Sequence, residues 1–283
     1  MKKMLLFCCG LTFMAALQAQ VIHVPADYPT IQQGINAATS GDTVLVTAGT
    51  YYEQINFKGK KPLTVASHYL ITGDTNYINN TIISGVQLAT KDSASMVYFI
   101  SGEDTTSVLC GFTIRNGKGT VYASLGATYR EGGGIFISSS GAKILHNHIT
   151  GNNLNNTLMG NTDYVNGAGI GCEWKLDSHW VVVSDNIIDQ NSCTSNILGA
   201  NNAGISMYYN ARITGNTISG NICKGTGNSV AYVAGIGCST QETSLATVTA
   251  IVEHNVIKNN LSTSQNNQAH TSGVAFASVK GIF

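Results

Sequence analysis

The segment from residue 173 to residue 180 combines proton-transfer groups with aromatic rings. It reads Glu-Trp-Lys-Leu-Asp-Ser-His-Trp and holds both tryptophans of the chain. Carboxyl and imidazole groups can act as general acids and bases. The candidates for catalysis are Glu173, Asp177 and His179. Aromatic faces beside polar groups suit sugar rings, so Trp174 and Trp180 are candidate carbohydrate-binding residues. The alternative interpretation is a surface turn whose tryptophans pack back over the edge of the fold.

The cysteines give no sign of a metal site. Beyond the N-terminal Cys8 and Cys9, five cysteines remain, and none has the Cys-x-x-Cys spacing of a zinc ligand pair. An odd number cannot all pair within one chain. Cys193 and Cys223 occupy equivalent positions in a repeat described below. They are the one disulfide candidate, and the sequence leaves open whether the bond forms.

The composition excludes several functional classes. The chain has 283 residues, of which 43% are hydrophobic and only 11% are charged, with 15 basic and 15 acidic residues. No basic excess exists to neutralise phosphates, so the sequence predicts no nucleic-acid partner. The low charge and high apolar content also argue against a disordered chain.

Residues 1–19 have the pattern of a secretory signal peptide. Lys2 and Lys3 precede an apolar run that ends at Leu17, and Ala19 precedes the expected cleavage point. The run is shorter than the ~20 residues that span a bilayer, which disfavours the alternative of a membrane anchor. No later segment could span a bilayer either. We therefore expect an exported chain, either extracellular or on the outer cell surface.

A repeat organises the rest of the chain. A glycine followed by Ile or Val recurs at intervals of 31 to 38 residues, at Gly134, Gly169, Gly204, Gly235 and Gly273. Apolar residues alternate after each of these glycines, which predicts strands, and no helical pattern separates the strands. The sequence therefore predicts an all-β parallel β-helix, a solenoid whose coils stack at ~4.8 Å.

Two columns of asparagines follow the glycine strands. The first column is Asn147, Asn186, Asn216 and Asn255, and the second is Asn152, Asn191, Asn221 and Asn260. Asparagine tolerates the left-handed backbone of a sharp bend, and its amide can bond the bent chain. We expect the first column to stack as a structural amide ladder at a corner of each coil. The second column is interpreted in the same way, and sugar binding is the alternative for both.

Alignment of the glycines predicts which residues lie level on neighbouring coils. Tyr208 falls level with Glu173, and Tyr209 falls level with Trp174, which adds both tyrosines to the carbohydrate-binding candidates. The outward residues of the glycine strands carry no charge: Phe136, Gly171, Ser206, Gly237 and Ala275. No paired carboxylates are therefore expected on one face, and glycoside hydrolysis and Ca²⁺-assisted elimination lack their usual groups there. A loop role is open for the three residues before the first Gly-Gly-Gly: Tyr129, Arg130 and Glu131.

The N-terminal part carries motifs of its own. They read Tyr28-Pro-Thr-Ile-Gln-x-x-Ile35, Gly41-Asp-Thr-Val44 and Ala48-Gly-Thr-Tyr-x-Glu53. With the later repeats, this segment resembles the opening of the right-handed parallel β-helix proteins of the pectate lyase and pectin esterase superfamily. The resemblance covers nearly all of residues 21–283. It implies a single-stranded right-handed parallel β-helix with a short N-terminal capping helix over its open end.

Two catalytic motifs of that superfamily are missing from the sequence. The Asp-Asp pair of polygalacturonases and the Gly-x-x-Asp-Phe-x-Phe-Gly motif of pectin methylesterases do not occur in the sequence. Pectate lyases hold Ca²⁺ with acidic residues on an outward strand face. The resemblance therefore implies Ca²⁺ only if this chain is a lyase, and no other cofactor or metal is expected.

These observations predict one domain and leave three functions open. Residues 20–283 should form the β-helix, with an N-terminal cap over about 21–57, clear repeats over about 108–283 and an incomplete C-terminal end. The leading hypothesis is a monomeric, secreted or cell-surface protein that binds polysaccharide or displays to a cell-surface glycan, without a recognisable catalytic motif. One alternative is a polysaccharide lyase or glycoside hydrolase that uses residues 173–180. The other is a structural or adhesive repeat segment of a longer surface protein.

Overall fold

Parallel pairing between successive turns of the chain builds a right-handed parallel β-helix, which confirms the predicted fold class. The computed structural model describes residues 18–88, 93–156, 162–173, 175, 178–239, 248–277 and 280–282. Within these residues a full coil passes through five strand positions, which we name sheets 1 to 5 in the order the chain visits them. The predicted signal peptide lies almost wholly outside the described residues and stays a prediction.

Sheets 1, 2 and 5 form the main body of the solenoid. The described strands of sheet 1 are Val21–Val24, Thr43–Val46, Leu63–Ser67, Ser107–Cys110, Ala142–Leu145, Trp180–Ser184, Asn210–Thr214, Thr249–Glu253 and Lys280–Ile282. Those of sheet 2 are Gly49–Tyr51, Thr81–Ser84, Thr113–Arg115, His148–Thr150, Ile187–Asp189, Thr217–Ser219 and Val256–Lys258. Those of sheet 5 are Ile55–Asn56, Val97–Phe99, Ile135–Ile137, Ile170–Cys172, Ile205–Met207, Ile236–Ser239 and Val274–Ala277.

Sheets 3 and 4 form a lobe beside this body. The described strands of sheet 3 are Asn153–Asn155, Ser192–Ser195, Ile222–Gly225 and Leu261–Ser264. Those of sheet 4 are Ser93–Ala94, Gly119–Ser124, Ala127–Glu131, Tyr164–Asn166, Gly199–Asn201 and Val230–Tyr232. Sheet 4 departs from the parallel pattern at its first three strands, because Gly119–Ser124 pairs antiparallel with both of its neighbours.

Stacked apolar side chains fill the space between sheets 1, 2 and 5. The inward residues of sheet 5 lie in register from coil to coil, as Ile135, Ile170 and Ile205 do, and all three are fully buried. Residues such as Ile144 from sheet 1 and Ile149 from sheet 2 meet them in the same core. Each square ångström of apolar surface removed from water contributes ~25 cal/mol, so this continuous column is the main source of stability.

A second and smaller core lies between sheets 3 and 4. It consists of small or sulfur-containing residues around two larger ones: Leu154, Val165, Ala168, Cys193, Ala200, Ala203, Cys223, Ala231 and Ala234. Cys193 and Cys223 lie in register on neighbouring coils, and both are buried free thiols. The pair that the sequence left open is therefore not a disulfide in this structure.

A short helix covers the N-terminal end of the main core. The helix Ile31–Ala37 buries Ile31 and Ile35 over the first coils. The Glu53 carboxylate accepts hydrogen bonds from the backbone N–H groups of Ile31 and Gln32, both at 2.9 Å, and so satisfies donors that a helix start leaves free. Two further described helices are Tyr69–Thr72 and Asn76–Asn80. No helix in the described ranges is long and apolar enough to cross a membrane.

The asparagine columns stack as continuous amide ladders. In the first column Asn147 Nδ2 donates to Asn186 Oδ1 at 3.1 Å, and the next two steps measure 3.0 and 2.9 Å. The second column has the same geometry, with steps of 2.9, 3.0 and 2.9 Å. Asn147 also donates to the carbonyl groups of Leu109 and Leu145, on both sides of the bend.

The sequence predicts a left-handed backbone at the ladder asparagines themselves, and this prediction is wrong. The residue before each ladder asparagine has the left-handed conformation, with φ of 51° at His146, 57° at Asp185, 69° at Gly215 and 57° at His254. The reason is geometric, because the ladder asparagine must point inward to bond the carbonyl groups under the bend. The preceding residue therefore turns the chain.

Candidate functional site

A sharp corner joins sheet 4 to sheet 5 in each coil. The chain turns there through a residue with positive φ, which is 65° at Gly132, 57° at Gly167, 52° at Asn202 and 40° at Val233. Glycine and asparagine adopt this conformation at low cost, and a β-branched residue does so only under strain. The corner brings the outer faces of the two sheets together at an angle. The result is a concave space of about 310 Å³, which we call the corner cleft.

The outer face of sheet 5 carries small residues at this corner, of which Gly237 and Ala275 line the cleft. Gly171, Ser206, Gly237 and Ala275 follow one another on four successive coils. A Cβ atom at Gly171 would overlap the side chain of Glu131, and one at Gly237 would overlap the side chain of Asn202. The missing side chains therefore make room for polar groups that fold over from sheet 4.

Tyrosine rings form one wall of the cleft. Tyr122 stacks on Tyr129 with ring centroids 5.3 Å apart, and Tyr129 stacks on Tyr164 at 5.2 Å, with interplanar angles of 13° and 14°. The next residue in register after Tyr164 is Gly199, which has no ring, and a Cβ atom there would lie 3.2 Å from Tyr164 Cδ1. The stack of rings therefore ends at Tyr164, beside the open space of the cleft. Tyr164 lines the cleft together with Tyr129, Tyr208 and Tyr232.

Side-chain amides line the corner itself. Asn201 Nδ2 donates to Asn166 Oδ1 at 2.8 Å, and Asn202 Nδ2 donates to Ser206 Oγ at 3.2 Å. Asn201 Oδ1 is a buried acceptor for which we find no hydrogen-bond donor in the part of the chain that the structure describes. Beyond the amides, the Tyr232 ring stacks on His270 with centroids 4.3 Å apart. The cleft thus offers aromatic faces and hydrogen-bonding amides side by side.

Glu131 lies beneath this wall and is fully buried. Tyr122 donates its hydroxyl hydrogen to Oε2 at 2.6 Å, whereas Oε1 has no hydrogen-bond partner within the described ranges. Burial raises the pKa of Glu131 to about 8. Polar groups of Tyr122, Ser206 and Asn166 act in the opposite direction, and the negative charge of Glu173 raises the pKa further. Glu131 therefore carries a proton at neutral pH.

Glu173 is the second carboxyl group near the cleft. It follows the strand Ile170–Cys172, two residues after Gly171 and on the same outward face. Lys175 Nζ lies 2.9 Å from its carboxylate, and the hydroxyl of Ser138 donates to it. Glu131 and Glu173 therefore share the outer face of sheet 5. The expectation that no paired carboxylates occupy one face is wrong, because the corner folds Glu131 over from sheet 4.

The other candidate residues that the structure describes lie at separate places on the solenoid. Trp174 and Asp177 lie outside the described residues. Trp180 begins a strand of sheet 1 and is 41% exposed, and His179 is partly exposed beside it. Of the three predicted shelf residues within the described ranges, Tyr208 lines the cleft. The shelf interpretation is wrong for Tyr209, because this residue is fully buried in the main core and its hydroxyl accepts the Ser139 N–H at 3.1 Å.

A histidine–carboxylate pair on sheet 2 was also not anticipated. His148 Nε2 lies 3.0 Å from Asp189 Oδ1 on the neighbouring coil. Burial raises the pKa of Asp189, but hydrogen bonds from His148 and Thr150 outweigh burial and lower the pKa overall. The pair lies on a different sheet from the cleft. Nowhere in the described ranges do three or more His, Cys, Asp or Glu side chains cluster as metal ligands would.

Comparison with known proteins gives a family. A search among curated proteins finds no match. The family model described as "Protein of unknown function (DUF1565)" matches residues 24–281. The match starts in the first strand of sheet 1 and ends in the last described one, so it includes the whole corner cleft. Because the model covers far more than half of the sequence, the chain belongs to the DUF1565 family.

Proposed function

We propose that this protein binds a glycan chain in the corner cleft. The observation that carries the proposal is the tyrosine stack from Tyr122 to Tyr164, which ends beside an open space lined by Asn201 and Tyr232. Sugar rings pack against aromatic faces through their C–H groups, and their hydroxyl groups exchange hydrogen bonds with amides. Because the lining residues come from successive coils, the cleft extends along the solenoid axis and suits a polymer.

The cellular setting belongs to the same proposal. We propose that the chain is exported through the signal peptide at residues 1–19 and works as a monomer, outside the cell or on its surface. Resemblance to the scaffold of the pectate lyase and pectin esterase superfamily supports a polysaccharide partner. The chain is then a binding protein that uses a scaffold on which other proteins carry out catalysis.

The binding test uses the tyrosines of the cleft. Purified protein is titrated with a panel of plant, algal and animal polysaccharides, and binding is followed by calorimetry or affinity electrophoresis. We expect at least one polymer to bind, and we expect Tyr164→Ala and Tyr232→Ala each to weaken that binding by about fivefold or more, since a stacking ring contributes ~1 kcal/mol or more. Tyr52→Ala is the matched control, because Tyr52 is 46% exposed on an early coil and does not line the cleft.

Two results would contradict the proposal. One is a panel in which no polymer binds. The other is binding that Tyr164→Ala and Tyr232→Ala leave unchanged while both variants keep the circular dichroism and unfolding midpoint of the unsubstituted protein. In the second case the glycan would bind elsewhere on the solenoid.

Cleavage of the bound glycan is a second candidate, favoured by the two carboxyl groups. Glu131, which holds a proton at neutral pH, would donate it to the leaving glycosidic oxygen as the C–O bond breaks. The Glu173 carboxylate would take a proton from a water molecule as that water's oxygen bonds to the anomeric carbon. We rank cleavage second because no part of Glu131 is exposed.

The cleavage test follows product formation by mass spectrometry on the same panel, with and without Ca²⁺. Hydrolysis predicts shortened saturated products that are lost in Glu131→Gln and Glu173→Gln. Unsaturated products that need Ca²⁺ would instead indicate a lyase. Binding without any product would exclude both and leave the binding proposal in place.

A further inference from the structure

We infer that the glycan bound in the corner cleft is uncharged, and that the cleft discriminates against polyuronates and sulfated chains. The inference rests on the proposed function and deepens it by naming the ligand class. It also runs against the acidic substrates that the pectate lyase resemblance implies. Three observations support it, namely the lining residues, the charges around them and the hydrogen-bonding character of the corner.

The described residues that line the cleft contribute tyrosine, asparagine, serine, valine, alanine, cysteine and glycine, and they include no lysine, arginine or histidine. An anionic group that leaves water for such a surface loses hydration without gaining a countercharge. A neutral sugar loses much less, because its hydroxyl groups find amide and phenol partners. The composition of the lining therefore favours the neutral polymer.

The basic groups around the cleft are engaged elsewhere. Lys175 forms an ion pair with Glu173 at 2.9 Å. The Arg130 side chain points to the backbone carbonyl groups of Lys118 and Gly119, inside the lobe of sheets 3 and 4. His270 lies behind the Tyr232 ring rather than in the cleft.

The acidic groups around the cleft supply no countercharge for an anion. The Glu173 carboxylate already pairs with Lys175 at 2.9 Å, and burial keeps Glu131 neutral at neutral pH. Among the described groups, nothing around the cleft therefore compensates the charge of a carboxylate or sulfate group.

The corner also presents an acceptor without a donor. Asn201 Oδ1 is buried, and the described residues supply no donor for it. A sugar hydroxyl can donate to such an atom, whereas a carboxylate or sulfate group has only acceptors to offer. At this one position the chemistry therefore favours a hydroxyl group, which a neutral chain carries where the acidic chain bears its charged substituent.

The test compares two polymers that differ only in charge. The intact protein is titrated with polygalacturonate and with its carboxyl-reduced form, a neutral galactan of the same linkage and chain length. Matched acidic and carboxyl-reduced pairs of other linkages are included. We expect the neutral member of each pair that binds to bind about tenfold or more tightly than its acidic partner, a difference of ~1.4 kcal/mol.

A cation placed in the cleft should change the preference. Ser239→Lys adds a positive charge at the rim, where Ser239 lines the cleft and is partly exposed. The preference of the Ser239→Lys variant for the neutral polymer should be at least tenfold smaller than that of the Ser239→Gln variant. Ser239→Gln is the control, because it shows any loss caused by side-chain size alone. Equal or tighter binding of the acidic member by the unsubstituted protein would overturn the inference and leave the proposed function standing. Failure of every polymer to bind would overturn the proposed function itself.

Discussion

At the scale of single residues, Glu131 is the most unusual group in the molecule. A carboxyl group is normally excluded from an interior unless it is paired or neutral. Glu131 is fully buried beside tyrosines and a second glutamate, and its hydrogen bond from Tyr122 is too little to stabilise a charge there. The protein therefore keeps it protonated under conditions in which an exposed glutamate is ionised.

Glu131→Gln should remove a specific pH dependence of stability. The pKa of Glu131 rises from an ordinary value of 4.5 to about 8 on folding, so between these pH values the folded state binds more protons than the unfolded state. Stability conferred by the neutral form is complete below about pH 4.5 and is lost as pH rises towards 8. From pH 5 to pH 8 the free energy of unfolding should fall by about 3 kcal/mol more in the unsubstituted protein than in Glu131→Gln.

Urea unfolding of both proteins is monitored by tryptophan fluorescence at a series of pH values, and the free energies of unfolding are compared. Other titrating groups are common to both proteins, so the difference between them isolates Glu131. Glutamine keeps an oxygen that accepts the Tyr122 hydroxyl hydrogen. Parallel pH profiles for the two proteins would show that Glu131 is ionised in the folded state, and would contradict the assignment of a neutral group.

The buried thiols give a second test at this scale. Cys110, Cys172, Cys193, Cys223 and Cys238 are all buried and free. Burial raises the pKa of Cys110 to about 11 and that of Cys238 to about 12, so both lack the reactive thiolate form. In the chain without residues 1–19, iodoacetamide should modify five thiols in denaturant and none rapidly in the native protein. A native mass lower by two hydrogens would instead show a disulfide, and peptide mapping would test whether it joins the in-register pair Cys193 and Cys223.

At the scale of elements, strands were predictable and corners were not. Alternation of apolar residues, the recurring glycine and the two asparagine columns are local signals, and each repeats coil after coil with one structural meaning. The corner between sheets 4 and 5 has no constant residue, since Gly132, Gly167, Asn202 and Val233 all occupy it. The angle of this corner determines that the Glu131 side chain packs against sheet 5. The sequence gives the parity of Glu131 but not the sheet against which that side chain packs.

The ladder predicts unequal costs along one column. Asn186 Nδ2 donates to the carbonyl groups of Ile144 and Ser184 and to Asn216, and its oxygen accepts from Asn147, all in a buried setting. Asn186→Ala should lower the free energy of unfolding by about 3 kcal/mol, because these groups lose partners that water cannot replace. Asn255→Ala should cost about 1 kcal/mol, since Asn255 is partly exposed and water can reach the groups that it bonds.

Chemical denaturation of the two variants checks this order. Equal losses at the two positions would mean that the ladder acts through its backbone bends rather than through buried amide bonds.

The close packing of Glu131 on Gly171 predicts intolerance of a single methyl group. Gly171→Ala would bring its Cβ into Glu131 and into the backbone nitrogen of Gly132. We expect a loss of about 1–3 kcal/mol in stability, together with weaker glycan binding as Glu131 is displaced. Gly273→Ala is the control, because a Cβ there meets nothing within 4 Å, and its cost should stay below about 0.5 kcal/mol. Thermal unfolding midpoints and the binding assay test this prediction. A Gly171→Ala variant with unchanged stability and unchanged glycan binding would argue against close packing of Glu131 on sheet 5.

At the scale of the whole molecule, the described residues form two separate apolar cores. Sheets 1, 2 and 5 enclose the large apolar column, whereas sheets 3 and 4 enclose a smaller one of alanine and cysteine. The cleft lies where the two bodies meet on the outside. Composition and repeat length predicted the solenoid, because every coil obeys the same pattern. They could not predict the cleft, because it arises from the angle between two bodies and from an antiparallel strand pair, Gly119–Ser124 with Ala127–Glu131, that interrupts the repeat.

The tyrosine stack gives the molecule an optical property of its own. Tyr122, Tyr129 and Tyr164 hold their rings nearly parallel at centroid distances of 5.3 and 5.2 Å. Chromophores at such separations share their electronic excitation, and in a chiral setting the shared transition produces paired bands of opposite sign in circular dichroism. A molecule that settles beside Tyr164 would perturb the end of this coupled array. The cleft therefore carries a built-in spectroscopic reporter, and its occupancy can be followed without any attached label.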